Sequence, residues 1–155
     1  MPEESLLTPE VRALIGSARP EAVATVTLRA VNRAMDTFLG RHNQSFAPGD
    51  DVPGYVLSAL EPETEIGALP PVLPSSLLIS NEWEFERPLR LGEQLTLTSR
   101  LADISERFGG RFGYSLYFRS DVEFRDVTGA VVARSVRTMM QYDSSAAREG
   151  EDDDE

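Results

Sequence analysis

The run Ser80-Asn81-Glu82-Trp83-Glu84-Phe85-Glu86-Arg87-Pro88-Leu89-Arg90-Leu91-Gly92-Glu93-Gln94-Leu95 constrains the fold more than any other part of the chain. Trp83 and Phe85 alternate with Glu82, Glu84 and Glu86, the period of a strand with one apolar and one wet face. Arg87-Pro88 ends that strand, because proline cannot donate to a ladder and restricts the residue before it. Gly92 supplies a turn, and a second alternating run starts at Gln94. Three further strands are predicted: Gln94–Ile104, Gly113–Arg125 and Ala130–Gln141. In Gly113–Arg125, Leu116, Phe118, Val122 and Phe124 share one face, while Tyr117, Arg119, Asp121, Glu123 and Arg125 share the other. Gly109-Gly110 and Asp126–Gly129 are turn signals between neighbours. An antiparallel meander of this kind needs a helix over its apolar face.

The first half of the chain must supply that cover. Thr8-Pro9-Glu10 is a helix start, so Leu6–Gly16 reads as a short helix or arm. Ala22–Thr27 reads as a strand, and Thr27 then caps a helix over Leu28–Leu39 that Gly40 stops. Its stripe of Leu28, Val31, Met35, Phe38 and Leu39 is expected to pack in the core. His42–Pro74, rich in Pro and Gly, reads as a long loop, a length that is often functional, or else as the place of a buried helix, and Val56–Leu60 suits a turn or two of helix.

A chain of 155 residues with 41% hydrophobic residues suits one globular domain. It holds no apolar run of the ~18 residues needed to cross a bilayer. The acidic start Met1-Pro2-Glu3-Glu4 does not resemble a signal peptide, so a cytoplasmic location is expected. Cysteine is absent, which excludes disulfides and thiolate chemistry. Net charge is −11, but six of the acids lie in Glu149–Glu155, so the remainder is mildly acidic. Nucleic-acid binding, which needs a basic stripe, is not expected. The expected organisation is an arm over residues 1–20, a domain over 21–143 and a disordered acidic tail over 144–155.

Four features together resemble the N-terminal hot-dog domain of MaoC-like (FAS1-like) dehydratases and hydratases. They are Asn81–Phe85, Arg87–Gly92, Arg100-Leu101-Ala102-Asp103-Ile104 and Thr128–Arg134. The resemblance spans about Ile15 to Tyr142. It implies an α+β hot-dog fold, an antiparallel sheet wrapped around a central helix, which His42–Pro74 or Ser75–Ile79 must then supply, and paired into dimers or heterotetramers. The NTF2-like cone shares the order of helix, long loop and four strands, and the Arg87–Gly92 motif argues against it. Catalytic members of the family carry D-x-N-P-x-H, whose Asp and His activate water for addition to an enoyl-CoA. Here the corresponding run is Arg41-His42-Asn43-Gln44-Ser45-Phe46. Arg41 and Phe46 stand where the resemblance implies Asp and His, and neither can serve as base or acid. Asn43 alone is retained.

The resemblance therefore implies a chain inactive by itself, pairing with a catalytic MaoC-like subunit of an enoyl-CoA hydratase or 3-hydroxyacyl dehydratase. It would shape the tunnel for an acyl-CoA, including bulky acyl chains such as steroid side chains. Asn43, Asn81, Trp83 and Phe85 are the candidate substrate contacts, and no cofactor or metal is implied. One alternative is a homodimeric acyl-CoA or lipid-binding scaffold. Another is a self-sufficient hydratase or thioesterase using His42, Asp50, Asp51 or Glu61.

Overall fold

The computed structural model describes residues 4–41, 44–61 and 69–145. Element order is α1 (Pro9–Arg12), β1 (Ala22–Thr25), α2 (Leu28–Leu39), β2 (Asp51–Val52), a 3₁₀-helix (Gly54–Ala59), β3 (Ser75–Phe85), β4 (Leu89–Arg90), β5 (Gln94–Arg107), β6 (Ser115–Arg125) and β7 (Val131–Tyr142). Five strands form one antiparallel sheet in the order β1-β5-β6-β7-β3, and β2 pairs with β4 beside it.

The helix signals act as expected. The Thr27 hydroxyl accepts from the Ala30 amide at 3.1 Å, satisfying one orphan donor. Gly40 closes α2 at φ 75°, where a Cβ is unfavourable, and donates its N–H to Asp36. Only the middle of the predicted stripe is buried, however. Val31 and Met35 are fully covered, while Leu28, Phe38 and Leu39 remain half exposed. The centre of the helix packs into the core against the sheet and the 3₁₀-helix.

One further expectation needs correction. Ser75–Ile79 is strand, the first half of β3, held by β7 in the register Ser75↔Tyr142 to Leu78↔Met139. A bulge between Leu78 and Ser80 breaks the alternation there, which hides the strand from a period-two reading. Within His42–Pro74 the helical alternative matches the structure: the described residues there include a six-residue 3₁₀-helix, whose Val56 and Leu57 are fully buried.

The sheet's inner face carries two apolar clusters. Leu95, Leu97, Val122, Phe124 and Ala133 lie under α2 and the 3₁₀-helix. Leu101, Ile104, Leu116, Phe118 and Met139 lie under Leu7 and Leu69–Leu73. The N-terminal arm is tied down by Glu106, which accepts from Ser5 Oγ and Tyr114 Oη, both at 2.6 Å. The Arg87–Gly92 motif is a clasp. Arg87 bonds Glu93 at 2.9 Å and reaches Asp126 at 3.5 Å, and Leu89 is fully buried. The Glu93 hydrogen bond is the main reason the Arg87 guanidinium sits above its usual pKa.

Two outcomes follow. Leu57→Ala should cost about 2–5 kcal/mol in urea unfolding, because it leaves a void beneath the 3₁₀-helix. The second concerns acid. Hydrogen bonds from Ser5, then Tyr114, hold the Glu106 carboxyl below its ordinary pKa. A depressed folded pKa gives stability that is present above the unfolded value and lost as pH falls through the folded one. Tyr114→Phe should therefore raise the midpoint of acid unfolding, read by circular dichroism, and an unmoved midpoint would refute the linkage.

Candidate functional site

The polar groups of the inner face gather between the two apolar clusters. Strand alternation turns Ala133, Ser135, Arg137 and Met139 of β7 inward. Arg137 lies in register with Ser120 on β6 and Asn81 on β3, which draws a polar stripe across the sheet. Glu61, two residues past the 3₁₀-helix, closes on that stripe. Its Oε2 accepts from the Arg137 guanidinium and from Asn81 Nδ2, the latter at 3.3 Å. Ser135 Oγ donates to Asn81 Oδ1 at 2.8 Å, which fixes the direction of the amide. The Glu61 side chain is 1% exposed and that of Arg137 12%. Two charges so far from water are tolerable only as partners.

One oxygen of this cluster is not used. Glu61 Oε1 is buried and has no hydrogen-bond partner among the described residues. Glu61 also lines a hollow of about 220 Å³ between α2 and the 3₁₀-helix, together with Arg33, Ala34, Thr37, Ser58 and Ala59. The hydroxyls of Thr37 and Ser58 donate to the backbone oxygens of Arg33 and Tyr55. Their lone pairs, like Glu61 Oε1, remain available as acceptors.

The predicted contacts divide into three groups. Asn81 joins the Glu61 cluster. Trp83 is half buried against the first apolar cluster, edge-on to Phe38 at 6.2 Å, with its Nε1–H unpartnered among the described residues. Phe38 in turn stacks on Tyr55 at 5.1 Å. Phe85 lies over Gly54, where a Cβ would come within 3.1 Å of its ring. Arg41 is exposed at the end of α2, and Phe46 is half buried in apolar packing. His42 and Asn43 lie outside the described residues. Asp50 and Asp51 stand apart from the cluster. Asp50 accepts from the Ala47 amide in a turn, and Asp51 faces Arg90 on the small sheet.

Arg137 and Ser135 were not predicted, although the inward alternation of β7 marks both. Among the described residues, no three His, Cys, Asp or Glu side chains converge as metal ligands. None of the described helices is long and apolar enough to cross a membrane.

Comparison with solved structures assigns the fold. The chain resembles the ChsH1-ChsH2 complex from Mycobacterium tuberculosis at TM-score 0.67 and 12% identity, over 86% of this chain and 87% of that one. The C-terminally truncated HadBC (3R-hydroxyacyl-ACP dehydratase) complex from the same organism matches at TM-score 0.60 and 14% identity, over 82% and 96%. A MaoC-like dehydratase from Rhodospirillum rubrum matches at 0.56 and 16%, over 83% and 92%. No protein-family model matches the sequence, and no curated protein does.

If the Glu61–Arg137 pair is the buried unit described, removing one partner strands the other. Arg137→Met should cost about 3–5 kcal/mol in chemical unfolding, and adding Glu61→Leu should recover most of it. Equal losses for the single and double variants would contradict the pairing. The chain thus has the hot-dog fold that it shares with MaoC-like dehydratases.

Proposed function

We propose that this chain is a non-catalytic hot-dog subunit of a heteromeric hydratase or dehydratase acting on acyl thioesters. The observation that carries the reading is the end of the sheet. β3 is eleven residues long, and its outer edge is unpaired among the described strands. Leu77, Leu78 and Ile79 on it are 44%, 48% and 46% exposed. A long apolar edge is a template for another strand, and proteins seldom leave one open. The other end of the sheet is β1, only four residues long. Two of the similar structures are complexes, ChsH1-ChsH2 and the HadBC dehydratase, which supports an assembly of unlike hot-dog chains.

The loss of the acid–base pair supports the non-catalytic role. Arg41 and Phe46 replace the Asp and His that the resemblance implies, and Phe46 is spent on packing. In this reading the partner supplies the proton-transfer groups. This chain supplies the second wall of the acyl tunnel, with Asn81, Trp83 and Phe85 on the contributing face.

One observation favours a second reading, a self-sufficient enzyme. Glu61 Oε1, which has no hydrogen-bond partner among the described residues, stands at the edge of a small hollow, a position from which it could accept a proton.

Hydration of short and bulky enoyl-CoA thioesters by the purified chain separates the two, followed by loss of the conjugated absorbance. The subunit reading expects no turnover alone and turnover when a catalytic hot-dog chain is co-expressed. Turnover by the lone chain that disappears in Glu61→Gln or His42→Ala would overturn it.

A further inference from the structure

The outer face of the sheet is a ladder of charges. Arg100, Arg119, Arg125 and Arg134 each lie within 4.0 Å of an acid: Asp121 for the first two, Glu123 and Glu86 for the others. The pattern changes at the free edge. One cross-strand row runs Arg100, Asp121, Val136, Glu82, and the next runs Thr98, Glu123, Arg134, Glu84. Arg134 stands beside Glu84 but is ion-paired to Glu86. Glu82 and Glu84 reach no cation among the described residues. They lie on β3, the long edge strand whose outer side is unpaired among the described strands.

A second copy of this chain cannot correct that. β3 contains no basic residue from Ser75 to Phe85, and the whole chain has no lysine. Whatever register two copies of β3 adopt, neither acid gains a cation across the pair. In the register centred on Trp83, Glu82 would face Glu84, a like-charge contact that destabilises strand pairing. Acidic side chains on an open edge are also a known guard against self-association.

We propose that the free edge of β3 receives an edge strand of a different chain, one that presents arginine or lysine opposite Glu82 and Glu84 and apolar side chains opposite Leu77–Ile79. This deepens the reading above and rests on it, since the occupant is the catalytic hot-dog subunit. Main-chain hydrogen bonds and the three apolar residues provide the attachment. The two acids select which chain attaches, as complementary charge at an interface governs partner choice more than affinity.

The probes are two synthetic peptides, each a single extended strand, N-methylated along one edge so that only the other can pair. They are identical apart from lysine or glutamate at the two positions across from Glu82 and Glu84. Fluorescence anisotropy with the full chain should give about tenfold tighter binding of the lysine peptide at about 50 mM salt. The difference should disappear at about 500 mM salt, and in the double variant Glu82→Gln/Glu84→Gln. Equal binding of the two peptides, or binding of neither, overturns the proposal. So does a homodimer of the chain alone, seen by sedimentation and split by Ile79→Lys. Failure here is distinguishable from failure of the subunit reading. Activity restored by a partner despite equal peptide binding removes only the charge selection. A preference for the lysine peptide with no partner restoring activity removes the subunit reading and leaves the acidic edge as a docking strand.

Discussion

The inner face of a single antiparallel sheet must be covered, and this chain covers it in two pieces. α2 and the 3₁₀-helix close one apolar cluster, and Leu7 with Leu69–Leu73 closes the other. Between these two clusters the sheet carries polar side chains in place of apolar ones. Arg137 can turn inward only because Glu61 descends to meet it, and Asn81 is oriented by the same carboxylate. The cluster binds the covering segment to β3 and β7, the two strands at the open end of the sheet.

That open end connects structure to function. A hot-dog sheet that stopped at β3 in isolation would expose an apolar edge nearly half accessible along three consecutive residues. Pairing with another chain removes that exposure and at the same time encloses the face bearing Asn81, Trp83 and Phe85. In the proposed reading, a chain without the Asp and His of the hydratase motif serves a hydratase as a wall and a platform. Within this account the Arg87 clasp is structural. It ties the residues after β3 to Glu93 and to the β6–β7 turn at Asp126, and so holds the edge strand in place.

Much of the fold was legible in the chain, and the failures have physical causes. α2 could be bounded to the residue because Thr27 and Gly40 act through local backbone hydrogen bonding. The inward set Leu116, Phe118, Val122 and Phe124 followed from alternation on a half-buried strand. Ser75–Ile79 was misassigned because three successive apolar residues and a bulge erase the period of two. The burial of Phe38 and Leu39 was overestimated because a helical stripe does not reveal where its neighbours end. Of the candidate site, Asn81 was found through the Asn81–Phe85 motif, and Glu61 only as one of three acids. Arg137 escaped because an arginine on an inward position reads as an exposed charge until its distant carboxylate is known.

The central claim is that the free edge of β3 is completed by a second, catalytic chain. Hydrogen–deuterium exchange of the β3 amides addresses it most directly, measured on the chain alone and in an active complex with a catalytic hot-dog partner. The account predicts that the amides facing the free edge exchange rapidly in the isolated chain and become protected in the complex, while those bonded to β7 are protected in both. Edge amides already protected in the isolated chain, or still unprotected in an active complex, would contradict it.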